Sequence, residues 1–112
     1  MLVTRTTNQK DDRIPRATVH AWLQQQGYIA GRAITYGRVA AITETITGNG
    51  RMVVGTFSGV DQAFCYTSVG EAITALCSWD VETDEEPDGW FRCVTDGRRR
   101  PGGDKSKEYI AP

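Results

Sequence analysis

One histidine, three cysteines, a run of carboxylates and a run of arginines are the residues of this chain with chemistry to offer. His20 sits in "PRATVHAWLQQQG", off the apolar stripe of Val19, Trp22 and Leu23. No serine or cysteine is spaced to share a proton with it, as a nucleophile–base pair requires. Cys65, Cys77 and Cys93 lie 12 and 16 residues apart, without the paired C-x₂-C or H-x₃₋₅-H ligands of a zinc site. Cys65 and Cys77 stand among apolar neighbours and read as small core hydrophobes. Cys93, beside Arg92, has the more cationic setting that a reactive thiolate wants. "DVETDEEPDG" lacks the alternating ligands and terminal glutamate of a calcium loop. The glycines at 48/50 and 102/103 precede no helix, so they do not form a phosphate cradle. These residues lead to an expectation of no enzyme activity and no metal or cofactor.

The charge runs are more informative. "DVETDEEPD", residues 80–88, holds six carboxylates in nine positions. "CVTDGRRRPGGDKSKEYI" follows, with Arg98, Arg99, Arg100, Lys105 and Lys107 around Pro101-Gly102-Gly103. Between the two lie Trp90, Phe91 and Arg92. An aromatic pair at a strand start next to arginines is the composition of an interface hot spot. The candidate partner-binding residues are therefore Asp84, Glu85, Glu86, Trp90, Phe91, Arg92, Arg98, Arg99 and Arg100. With a net charge of −1 and a pI near 5.8, no global positive field steers the chain to nucleic acid. A protein partner is favoured: the chain reads as a small binding or regulatory protein. Small phage-encoded inhibitors, which block nucleic-acid-handling machines with acidic surfaces, are one kind of protein that works this way, and an accessory factor of such a machine fits equally. Two alternatives stand beside it. One is nucleic-acid binding through the Arg98–Arg100 loop, aided by Arg32, Arg38 and Arg51 if a hairpin gathers them. The other is a structural subunit of a larger assembly, with the oligomeric state open.

What must position these residues is one domain. The 112 residues suffice to bury a core without staples. The polar stretch 1–13 reads as a flexible N-terminal arm, leaving 14–112 as a single α+β domain. Pro15 suits a first helical turn and Gly27 a C-terminal cap, so the spacing predicts a helix over 15–26. From Arg32 the period changes to two. Ile34, Tyr36, Ala40, Ile42 and Ile46 share one face, with Arg38 and Glu44 breaking it unless a bulge near Gly37 resets the register. Asn49-Gly50 signals a tight hairpin, Gly59 and Asp61 mark another turn, and a three-stranded antiparallel meander is expected over 33–67. Ser68 and Glu71 form a capping-box pattern ahead of a helix over 69–79. "GWFRCVT" and "KEYI" complete a C-terminal β-hairpin. The sum is an α-β-β-β-α order with one face of the sheet covered.

That order resembles the topology of the double-stranded RNA-binding domain, whose second helix presents lysines to phosphates. The matching place here reads "TSVGEAIT", with Glu71 and no lysine, so the residues that carry RNA binding in that family have no counterpart. An odd cysteine count without an apolar leader points to a reducing, cytoplasmic setting. No run approaches the length of a membrane span.

Overall fold

The computed structural model describes residues 4–46, 48–92 and 107–108. It is a mixed α+β fold built on one sheet whose strands lie in chain order. Five strands make the body of the sheet: β1 (Arg5–Thr6), β2 (Ala30–Ala33), β3 (Val39–Glu44), β4 (Gly50–Thr56) and β5 (Gly59–Tyr66). Two-residue strands β6 (Phe91–Arg92) and β7 (Lys107–Glu108) extend it; they pair parallel to each other, so they are not the antiparallel C-terminal hairpin that had been expected. Helices α1 (Arg16–Gln26) and α2 (Val69–Ser78) match the expected spans to within a residue. Gly27 caps α1 in the left-handed conformation, at φ 77°. The Ser68 side chain accepts from the Glu71 N–H at 3.1 Å, as the capping pattern predicts.

The antiparallel meander is present as β3–β4–β5, but two more strands precede it. β2 pairs antiparallel with β3. β1 pairs parallel with β2, so the segment expected as a loose arm is instead the edge of the sheet. The arm's N–H groups at Arg5, Thr7 and Lys10 donate to the carbonyls of Ile29, Gly31 and Ala33, at 2.9–3.0 Å. β2 and β3 are separate strands because a turn over Thr35–Gly37 divides them, where a bulge had been expected.

Both faces of the sheet are covered, not one. Ala30, Ile34, Ala40, Ile42, Met52, Val54, Phe64 and Tyr66 face α2, meeting Ala72, Ala75, Leu76 and Trp79. Ala33, Val39, Ala41 and Val53 face α1, where Val19 and Leu23 close the smaller core. A strand buried on both sides reads as a continuous apolar run instead of an alternation, and "VAAI" in β3 does so. Small residues let α1 lie close. A Cβ on Gly31 would sit 2.6 Å from the Leu23 Cδ2 methyl. The β3–β4 turn also differs from expectation: the positive φ falls on Gly48, at 86°, and Gly50 is already in β4. Gly50 is needed for proximity, since a Cβ there would collide with the Ser68 carbonyl. Ile46, placed on the apolar face by its spacing, sits in this turn fully exposed.

One polar side chain crosses the larger core. Arg32 of β2 is 2% exposed, and its Nη2 donates to the carbonyls of Leu76 and Trp79, both at 2.8 Å. Its Nη1 donates to the Asn8 carbonyl of the arm at 3.2 Å. The guanidinium thus satisfies carbonyls left open at the C-terminal end of α2, where the helix dipole favours a cation. Arg32→Leu keeps the bulk but strands these acceptors. With about 1–3 kcal/mol for each buried group left unpaired, the variant is expected to lose roughly 3 kcal/mol in urea denaturation; a loss under about 1 kcal/mol would show that the guanidinium is replaceable by packing alone.

Candidate interaction surface

The acidic stretch emerges where α2 ends. Trp79 caps the helix and is buried, and its indole N–H donates to the Asp84 carbonyl at 3.1 Å. Asp80 organises the next turn. Its carbonyl accepts from the N–H groups of Thr83 (3.2 Å) and Asp84 (2.8 Å), and its carboxylate from the Glu82 N–H at 3.2 Å. Pro87 is fully buried, and the Tyr66 hydroxyl donates to the Asp88 carbonyl at 3.1 Å. Burial, reinforced by the charges of Asp88 and Glu86, pushes the Tyr66 phenol well above its ordinary range, so it stays a donor at physiological pH. Gly89 then turns with φ 76°, and Trp90 packs edge-on against Phe64 with ring centroids 5.2 Å apart.

The backbone of residues 79–90 is therefore held at several points while most of its carboxylates face outward. Glu82, Asp84, Glu85 and Asp88 are exposed and Glu86 is half-buried. Among the described residues the ion pairs are Arg13–Asp11 and Arg38–Asp61, so none of these carboxylates has a cation beside it. All but Glu82 border two adjoining open clefts of about 940 and 890 Å³ that meet at Asp88 and Gly89, the second running along α2 past Glu71 and Thr74.

Of the residues singled out from the sequence, Asp84, Glu85 and Glu86 share this loop, and Trp90 borders it, half-buried against the core. Phe91 and Arg92 form β6, with Phe91 opposite Cys65 of β5. Arg98, Arg99, Arg100 and Cys93 lie outside the described residues. Arg32, Arg38 and Arg51 are not gathered by any hairpin. Arg32 is buried, Arg38 at the start of β3 makes a bidentate pair with Asp61 (3.0 and 2.5 Å), and Arg51 lies opposite Thr43 toward the other end of the sheet. Cys77, expected in the core, is exposed and free, and Cys65 is held in a disulfide. His20 shares a 3.1 Å hydrogen bond with the Thr6 hydroxyl, joining α1 to β1. Among the described residues no group of three or more His, Cys, Asp and Glu is placed to hold a metal ion, and no helix is long and apolar enough to cross a membrane.

The sequence pattern marks the β2–β3 turn only by a register reset near Gly37, not as a break between strands. Period-two spacing put Tyr36 on the apolar face, yet it is 88% exposed and left-handed, with φ 62° and ψ 35°. Gly37 follows at φ 74°, and its N–H donates to the Asp11 carboxylate at 2.9 Å. Asp11 itself is buried and chelated by Arg13, at 3.0 and 2.9 Å. The residual signal was Arg38 on the wrong face, a mark of a register reset. A bulky residue with positive φ is strained, and an exposed ring recovers nothing by burial.

Asn tolerates the left-handed region better than Tyr, so Tyr36→Asn is expected to gain about 0.5–1 kcal/mol in urea unfolding. A lowered midpoint would mean the ring contributes contacts that outweigh the strain. The Arg13 hydrogen bond, then the Gly37 N–H, holds the Asp11 carboxyl well below its ordinary value of 3.8. A depressed folded-state pKa gives stability that is present above the ordinary value and lost as pH falls below it. Asp11→Asn is accordingly expected to be less stable at neutral pH and to lose less stability than the parent between pH 4 and pH 2, measured by melts at stepped pH. Parallel pH profiles would exclude this linkage.

No protein-family model, curated protein or solved structure matches the chain.

Proposed function

We propose that this is a non-enzymatic binding protein whose moored acidic loop, residues 80–88, docks on a basic surface of a protein partner. The observation that carries this reading is the contrast between the loop's backbone and its side chains. The backbone is fixed through Trp79, Asp80 and Tyr66, while its carboxylates make no ion pair within the described residues. A preformed loop loses little entropy on binding. An array of unpaired charges raises the rate and selectivity of encounter with an oppositely charged surface. A surface that ordinarily receives a phosphate backbone has that chemistry, so inhibition or regulation of a nucleic-acid-handling protein is the role we favour. The alternative of direct nucleic-acid binding has to rest on Arg98–Arg100 and Arg51, because Arg32 and Arg38 are engaged within the fold.

The test is fluorescence anisotropy with a labelled oligo-arginine peptide, duplex RNA and duplex DNA as probes, at low and physiological salt. The peptide is expected to bind and to weaken with salt, while neither duplex binds. Exposed charge pairs contribute ~0.2–1 kcal/mol each, so Asp84→Asn/Glu85→Gln/Glu86→Gln should weaken the peptide by about tenfold. Equal peptide binding by that variant, or binding of a duplex in place of the peptide, would overturn the reading.

A further inference from the structure

Among the described residues, the large apolar side chains most open to water are Tyr36, Ile46, Phe57 and Val60. All but Ile46 stand at one end of the sheet. Val39, Gly55 and Val60 share a row of the ladder, so the β2–β3 turn with Tyr36 and the β4–β5 turn with Phe57 project beyond it together. Helix α1 starts at the same end. After β1 the chain runs on beside β2, reaches the β2–β3 turn at Asp11 and enters α1 at Arg16. Along α1 lies an open groove of about 490 Å³, lined by Ala17, Thr18, Ala21, Trp22, Gln25 and Phe57. No lining residue is charged. Trp22 meets Phe57 edge-on in its wall, with ring centroids 5.3 Å apart.

This end of the molecule therefore carries both a knob and a hole. The knob is held rigid. The Ile34 N–H donates across the turn to the Arg38 carbonyl at 2.8 Å, and the Gly37 N–H is tied to Asp11, so Tyr36 keeps its left-handed backbone. Strain stored at a residue that buries nothing of its own is a reason to look for a contact. A tyrosine fixed in place brings a large amphipathic surface to such a contact with little ordering left to do. The surroundings disfavour a charged ligand. Arg13 and Arg38, on either side of the turn, are already neutralised by Asp11 and Asp61, which leaves apolar surface as the unsatisfied feature. Tyr36 does not fill the groove of its own molecule, since it stays exposed. A second copy supplies the complement of both knob and hole, and with a net charge of −1 copies do not repel at long range.

We infer that two copies of this chain pair across this end of the sheet, each seating its Tyr36 in the α1–Phe57 groove of the other. Knob and hole lie on the same end, so one two-fold axis satisfies both contacts and the assembly closes as a dimer. An aromatic side chain buries about 150–250 Å². Two tyrosines with the flanking Phe57 and Val60 side chains place the interface at the low end of the size range, below about 1,200 Å², so the dimer is weak and reversible. The contact is independent of the acidic loop and does not draw on its charge.

Sedimentation velocity of the full chain, from micromolar to millimolar concentration, tests this in dilute buffer and in added sulfate. The mass is expected to rise from 12.4 kDa toward twice that value and no further. Sulfate should strengthen the pairing, where it would screen a contact between charges. Two variants dissect the contact. Tyr36→Asn removes the knob, and Ala21→Glu places a charge in the groove at an exposed helical position. Each alone should stay monomeric. An equimolar mixture of the two should recover a dimer weaker than the parent's, because one intact knob and one intact hole remain between them. Such recovery also shows that both variants are folded, as unchanged far-ultraviolet dichroism would confirm. A parent that stays monomeric throughout overturns the inference, as does a Tyr36→Asn variant that pairs like the parent. Pairing that sulfate weakens, or a mixture that recovers no dimer, overturns it as well.

Discussion

Much of this fold depends on the hydrogen bonds of one buried guanidinium. Arg32 reaches from β2 to the last carbonyls of α2 and to the carbonyl of Asn8, joining three segments that are far apart in the chain. Burial pushes the group below its ordinary pKa, opposed in part by the nearby Asp80 carboxylate. An arginine nonetheless keeps its proton in proteins, so a full cation is held inside the larger core. Such a charge is tolerated only where fixed dipoles replace water, and the exposed carbonyls at the end of a helix are that replacement. The consequence runs outward. Arg32 holds the carbonyl of Trp79, the Trp79 indole holds the carbonyl of Asp84, and Asp84 lies in the middle of the acidic loop.

What could be read from the sequence follows from how local each feature is. The two helices, their caps and the β3–β4–β5 meander depend on neighbours a few residues away, and their spacing shows. The acidic loop was visible as composition. Its mooring was not, because Tyr66 and Asp88 are 22 positions apart and nothing in either residue names the other. Arg32 looked like a surface charge because its acceptors lie 44 and 47 positions downstream. β1 escaped notice for a related reason: two residues are too few to display a period, and a parallel partner 25 residues away leaves no local trace. Tyr36 was misplaced because alternation was carried through a turn. That turn is held by Asp11, a residue of the segment that had seemed unstructured.

The second covered face explains a compositional oddity. β2 reads "AGRA" and β3 opens "VAA", weak strand sequences by propensity. In a layer between two helices, small side chains are what the space admits. α1 contributes only Val19 and Leu23 as fully buried residues, so it must sit close to the sheet to exclude water. The larger aliphatic and aromatic groups are concentrated toward α2, where Met52, Phe64, Tyr66 and Trp79 fill the deeper core. The acidic loop is anchored to this better-filled side.

The β1 edge has one more property. In a parallel pair, the residues that bond to the neighbour alternate with residues whose backbone groups point away. Arg5 and Thr7 bond to β2, which turns Thr6 toward the outside. Its carbonyl is already occupied by the Arg16 guanidinium. An open sheet edge is normally a template on which a foreign strand can add by main-chain bonding, the first step of fibrillar aggregation. Here the template is plugged at Thr6 by the protein's own arginine. Whatever meets this edge must do so through side chains, which can be selective and reversible, and not through the indiscriminate ladder that seeds amyloid.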